Sequence, residues 1–182
     1  PKIVEISVTF RGKGDDFQVW TLGDERADEK EILQRFFDGI DRYTPTIVSW
    51  NGSGFDLPVI HYRAMKHKIC SPRYCDMGED DSSFKWNNYI SRYHTRHTDL
   101  MDLLALYSGR ANAPLDELAS LFDFPGKMGM SGAKVWDAYQ EGKLAEIRNY
   151  CETDVLNTWL VYLRFQLLRG HILHDKYVAE CE

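Results

Sequence analysis

The chain has 182 residues, 43% of them hydrophobic and 13% aromatic, with a formal charge of −6. That length and composition suit one globular domain with a real core, and no apolar run approaches the roughly 18 to 20 residues that span a bilayer. The acidic balance argues against a protein that coats nucleic acid non-specifically, but leaves room for an enzyme that grips a few nucleotides through bound metal ions.

Taken in order, residues 1–10 read as a strand in which Val4, Ile6, Val8 and Phe10 alternate with Glu5, Ser7 and Thr9. A polar Gly-rich turn at 12–16 leads into a second strand, Phe17 to Leu22, and the two form a hairpin. From Glu29, the positions Ile32, Leu33, Phe36, Phe37 and Ile40 repeat at helical spacing until Tyr43, before Pro45. Thr46 to Trp50 is a short, mostly apolar run that suits a strand buried on both faces.

Asn51-Gly-Ser-Gly-Phe-Asp-Leu-Pro58 follows. Its glycines make a sharp turn, and Pro58 suits the first residue of a helix reaching about Lys68. Asp56 therefore stands at a strand-to-helix junction, as an N-cap or as a functional carboxylate near the positive end of a helix dipole.

Residues 69–83 read as a loop. The stretch from Phe84 to His97 interleaves Trp86, Tyr89, Tyr93, Arg92 and Arg96, a mixture that either stacks bases and reaches phosphates or packs a loop by its own aromatics. His94 and His97 are candidate phosphate contacts at best. Thr98 to Tyr107 turns from a short strand into a helix, and Ala113 to Phe122 is another. In the Gly- and Met-rich loop at 124–132, Gly126-Lys127 does not complete a phosphate-loop motif, so Lys127 reads as a solvated residue or one basic group beside a nucleic-acid path. A short helix at Val135 to Gln140 ends before Gly142.

The last helical run, Leu144 to about Leu168, holds Tyr150-Cys-Glu-Thr-Asp154. Four residues is just over one turn, so phenol and carboxylate share a face. Asn157 and Val161 continue that face, while Leu156, Trp159, Leu160 and Leu163 read as the buried stripe. A lone Y-x-x-x-D is usually an ordinary helix surface, and its meaning depends on a second carboxylate elsewhere. Asp56 is that carboxylate. Two divalent cations can stabilise the attacking and leaving oxygens of a phosphodiester, hard cations need carboxylate oxygens, and a nearby phenol can orient the attacking water. Cys70, Cys75, Cys151 and Cys181 lack zinc-site spacing and read as reduced thiols of a cytoplasmic protein.

These motifs resemble a known family. Asn51-x-x-x-Phe55-Asp56-Leu57-Pro58 with Arg63-Ala64 is similar to the second exonuclease motif of family B DNA polymerase proofreading domains. Tyr150-Cys151-x-x-Asp154 is similar to the third, in the tyrosine branch of the DEDD 3′-5′ exonucleases; Asn at 149 argues against the histidine branch. Ile3 to Ser7 and Leu115 to Ala119 extend the likeness. Trp50 to Asp56 and Lys85 to Tyr89 resemble bacterial stand-alone exonucleases of this kind.

The resemblance implies an α/β, RNase H-like fold, a mixed five-stranded sheet flanked by helices, in a single domain over 1–182. It implies two Mg²⁺ or Mn²⁺ ions, with Asp154 a direct ligand and Asp56 a ligand directly or through water, and Tyr150 positioning the nucleophile. Asn51 and Phe55 would lie against the terminal nucleotides, with Trp86, Arg92 and Arg96 as further substrate contacts. The implied substrate is a nucleic-acid 3′ end, single-stranded DNA favoured over RNA, with no membrane and no small-molecule cofactor. The family's first motif, Asp-x-Glu on the central strand, has no counterpart: nothing precedes Pro1, and Glu5 has no Asp two residues before it. The native protein is therefore expected to continue upstream with that strand. A catalytically inactive nucleic-acid-binding module on the same fold is the alternative.

Overall fold

The computed structural model describes residues 2–127 and 129–182. Four strands are present among the described residues, in two pairs. β1 (Ser7–Arg11) and β2 (Phe17–Thr21) form the expected antiparallel hairpin, with Ser7 opposite Thr21 and Arg11 opposite Phe17. β3 (Ile47–Ser49) and β4 (His97–Asp99) pair in parallel, with Ser49 opposite Asp99.

The first strand begins at Ser7, not near Pro1, which lies outside the described residues. The reason is local. The Ile3 N–H is taken by the Glu29 carboxylate at 2.7 Å, so this segment anchors to a helix before the ladder begins. β3 is also less enclosed than its apolar sequence predicts, because all three of its residues keep partial exposure.

Eight helices complete the described chain. α1 (Glu29–Tyr43) starts at an Asp28 cap that accepts the Glu31 N–H. It buries Ile32, Leu33, Phe37 and Ile40 of the predicted stripe, while Phe36 is partly buried. α2 (Leu57–Lys66) and the single turn α3 (Pro72–Cys75) pack on it. α4 (Leu100–Leu104), α5 (Leu115–Leu121) and α6 (Val135–Gln140) are short. α7 (Leu144–Leu168) and α8 (His174–Cys181) close the fold.

The α1–α2 side of the core takes Tyr74, Phe84 and Tyr89 from the following loops. Tyr74 and Tyr89 stack at 5.4 Å, and the Tyr74 hydroxyl lies 2.8 Å from His61 Nε2. Beside this core, Glu29 receives Arg63 Nε at 2.7 Å, with His67 Nε2 2.8 Å from its other oxygen. Burial pushes the Glu29 carboxyl up, but the hydrogen bonds from Arg63, then His67, then Ile3 outweigh it and hold it at about 2.

The stripe of α7 expected to be buried holds in part: Leu163 is buried and Trp159 and Leu160 are half-buried. Asn157 and Val161 are buried together with Ile147 and Leu163, whereas Leu156 faces solvent. α7 packs against the hairpin, β3, α5, α6 and α8, so it has no single outward face. The face that carries Tyr150 and Asp154 therefore runs into the protein. No described helix is long and apolar enough to cross a membrane, and all four cysteines are free.

Candidate active site

The Asp56 loop leaves the carboxyl end of β3 through Asn51, which adopts a left-handed conformation at φ 59°. Gly52 to Asp56 form one wide turn, closed by the Leu57 N–H onto the Gly52 carbonyl. Two glycines are required by space here. A Cβ on Gly52 would sit 2.3 Å from Ser49 Oγ, and one on Gly54 would sit 2.4 Å from Asn51 Oδ1. The turn is held from β4: Asp99 accepts the Asn51 N–H on one oxygen at 2.9 Å and the Ser53 N–H on the other at 3.0 Å. Asp99 also caps α4.

Asp56 sits at the start of α2 but makes no side-chain cap bond, so the N-cap reading does not hold. Its residue keeps an open side to solvent, while the surrounding protein withdraws enough water to push the carboxyl up to about 6. The charges of Asp99 and then Asp154 add to that upward push. The Asp56 carboxyl thus feels the charge of Asp154, and no described cation neutralises it.

On α7, burial raises the Asp154 carboxyl, opposed by the neighbouring Tyr150 hydroxyl and by the charge of Lys127. Burial also raises the Tyr150 phenol, and the Asp154 charge adds to it. A phenol so raised stays protonated at neutral pH and can donate a hydrogen bond.

The loop before α6 comes across this pair. Asn157 clamps Gly126, accepting its N–H at 3.3 Å and donating to its carbonyl at 3.1 Å. Gly132 lies near the Tyr150 hydroxyl, which a Cβ built there would meet at 3.9 Å. Lys127 is not simply solvated: its Nζ pairs with Asp116 of α5 at 2.6 Å, and its charge reaches Asp154.

Sequence reasoning missed Asp99, Asp116 and Glu5. Asp99 carried a legible signal, an Asp between a strand and a helix. Glu5 is paired with Arg148 at 3.3 Å, and its side chain is only 4% exposed, with one oxygen lacking a partner among the described residues. It lies close to Cys151, whose thiol is pushed up to about 12 by burial and by the charges of Asp154, Glu5, Asp56 and Glu152. The region is thus rich in carboxylates. Among the described residues, however, no group of three or more His, Cys, Asp or Glu is gathered closely enough to hold a metal ion.

The expected substrate contacts are distributed unevenly. Phe55 and Trp86 are 56% and 78% exposed, both available to a ligand. Arg96 is turned inward, 3.8 Å above the Phe84 ring and bonded to the Asn87 carbonyl and Ser83 Oγ. Arg92 forms a two-pronged pair with Asp102. His97 is buried, with Nε2 2.8 Å from Ser49 Oγ, and His94 accepts the Asn88 N–H, so neither histidine is placed as a phosphate contact.

A mixed α/β chain with a small sheet content, many helices and this acidic loop-and-helix site is compatible with an exonuclease-like fold. The chain belongs to the family described as a predicted 3′-5′ exonuclease related to the exonuclease domain of PolB, whose model matches residues 1–182. It is also 53% identical over 38 residues to "DNA polymerase 1" of Sulfurisphaera ohwakuensis, a match covering 21% of this chain and 4% of that relative's length.

Proposed function

We propose that the protein hydrolyses phosphodiester bonds from the 3′ end of nucleic acid, DNA favoured over RNA, releasing nucleoside 5′-monophosphates. The observation that carries this reading is the mutual electrostatic influence of this small group: the charge of Asp154 raises both Asp56 and Tyr150, which lies one helical turn from it. Such a site has hard oxygen donors and excess negative charge, which suits Mg²⁺ or Mn²⁺. Asp56 and Asp154 are the residues that would hold the two cations. When bound, these supply charge neutralisation for the attacking and leaving oxygens.

The chain's own residues have distinct tasks. Tyr150 donates a hydrogen bond and orients the attacking water, while Asn51 and Phe55 bracket the terminal nucleotide. Trp86 offers a stacking face, and Arg92 and Arg96 keep the 84–97 loop in shape around it. The domain proposed over residues 1–182 is RNase H-like, its two strand pairs being parts of one mixed sheet. Support comes from the two separate strand pairs: β1 and β3 each have an edge with no described partner, and α7 packs against both. We place the protein in the cytoplasm, in keeping with four free thiols.

The full-length protein, given a labelled single strand and Mg²⁺ or Mn²⁺, should release mononucleotides from the 3′ end, and EDTA should stop it. Activity that survives Asp154→Ala sinks the assignment. The alternative, an inactive nucleic-acid-binding module, draws on the lack of a three-residue metal group among the described residues. It predicts binding without metal-dependent release.

A further inference from the structure

The parallel pair β3–β4 ends with Ser49 beside Asp99, and ligands of open parallel sheets sit outside such carboxyl ends. Two loops leave that edge. One leads to Asp56, and the other runs through α4 to Leu106 and Tyr107. Both these residues are left-handed, at φ 53° and 61°, a conformation that L-residues other than Asn and Asp rarely adopt and almost never adopt twice in succession. Leu106 is also 83% exposed, so little packing offsets its strain.

The corner is held firmly in place. The N–H groups of Leu106 and Tyr107 reach the carbonyls of Leu103 and Asp102 at 3.0 and 2.8 Å. Arg92 pairs with Asp102 and lies 5.4 Å above the Tyr107 ring, and Tyr93, itself 66% exposed, meets that ring edge-on at 4.9 Å. Asp102 in turn follows the Asp99 cap that fixes the Asp56 loop. Strain that is over-determined in this way concentrates at binding sites.

We propose that this Tyr93–Leu106–Tyr107 corner is a ledge on which the unpaired bases just behind the terminal nucleotide stack. The proposal rests on the exonuclease reading and adds to it where the bases lie. Arg92 is neutralised by Asp102, so the ledge offers apolar and aromatic surface without net charge, which fits base faces and not phosphates. Stacking of this kind tolerates any sequence but needs an unstacked end, so the ledge selects frayed or single-stranded 3′ termini.

The test is fluorescence anisotropy of the full-length protein with a labelled oligothymidylate in EDTA, and with the same strand made abasic at the second and third positions from its 3′ end. The wild type should bind the abasic strand roughly tenfold more weakly. Tyr93→Ala and Leu106→Gly should bind the intact strand more weakly and show little further loss on the abasic one. Because glycine tolerates the left-handed backbone, Leu106→Gly should keep or raise the unfolding midpoint, a result that a merely structural role does not give. If both variants keep the full abasic penalty while the wild type still digests 3′ ends, the ledge is wrong and the exonuclease reading stands; a surface for a protein partner gives that outcome. If the wild type neither binds nor digests the strand, the exonuclease reading fails and takes the ledge with it.

Discussion

The carboxylate of Asp99, at the end of one strand, accepts the backbone N–H of Asn51 at 2.9 Å, just past the end of the neighbouring strand. Its other oxygen takes the Ser53 N–H, so one side chain fixes the turn that presents Asp56. Asp99→Ala leaves two backbone donors without their acceptor and removes the α4 cap. We expect a loss of about 1–3 kcal/mol in urea unfolding, together with slower turnover. Asp99→Asn, which can accept on only one side, should fall between. Unchanged turnover in Asp99→Ala would show that the turn holds itself.

The Gly52 turn makes a sharper steric prediction. Gly52→Ala brings a Cβ against both Ser49 Oγ and Ser49 Cβ, at 2.3 and 2.6 Å. The cost expected is about 1–3 kcal/mol, with activity reduced through the displaced Asp56. Ser49→Ala should not rescue it, because the Cβ remains. Ser49→Gly should, since the next neighbour, His97 Nε2, is 3.5 Å away. Rescue by Ser49→Ala as well would mean that the hydroxyl alone was the obstacle.

Much of this arrangement was legible in the sequence, and the failures have physical causes. α1 was readable because one stripe alone is apolar and an Asp precedes it. Asp56, Tyr150 and Asp154 were singled out by type and spacing, and the charge of Asp154 reaches both of the others, in keeping with that grouping. The buried side of α7 was only partly legible because a helix packed on several sides has no simple amphipathic period, and Asn157 is buried through its clamp on Gly126, which no local pattern signals. Arg92 and Arg96 were read as ligand-facing, yet their partners Asp102 and Phe84 lie ten and twelve positions away, outside any helix or strand period.

Glu29 ties the N-terminal segment, α1 and α2 together, and its effect should depend on pH. Its carboxyl titrates at about 2 in the fold against an ordinary 4.5, so the folded state binds its proton less readily than the unfolded chain. The stabilisation is complete above pH 4.5 and disappears as pH falls toward 2; for this buried group it amounts to about 3 kcal/mol. Glu29→Gln should therefore be markedly less stable than wild type in urea at pH 7, with the gap closing by pH 2 to 3. A gap that stays constant with pH would mean that packing, and not the charge, is what the substitution removes.

Lys127 and Asp116 should move the pH–rate profile in opposite directions. The Lys127 charge lowers the Asp154 carboxyl and the Asp116 charge raises it, on top of a larger upward push from burial. Removing Lys127 leaves Asp154 easier to protonate, so in Lys127→Ala the acidic limb of kcat/KM should shift to higher pH. Removing Asp116 takes away a like charge and frees Lys127 from its 2.6 Å pair, so in Asp116→Ala that limb should shift to lower pH. The double variant should return toward wild type. At a pH well above both limbs, Lys127→Ala should lose only what its direct contact with substrate contributes, which separates electrostatic tuning from binding. Shifts of the same sign in the two single variants would place the limb on a group other than Asp154.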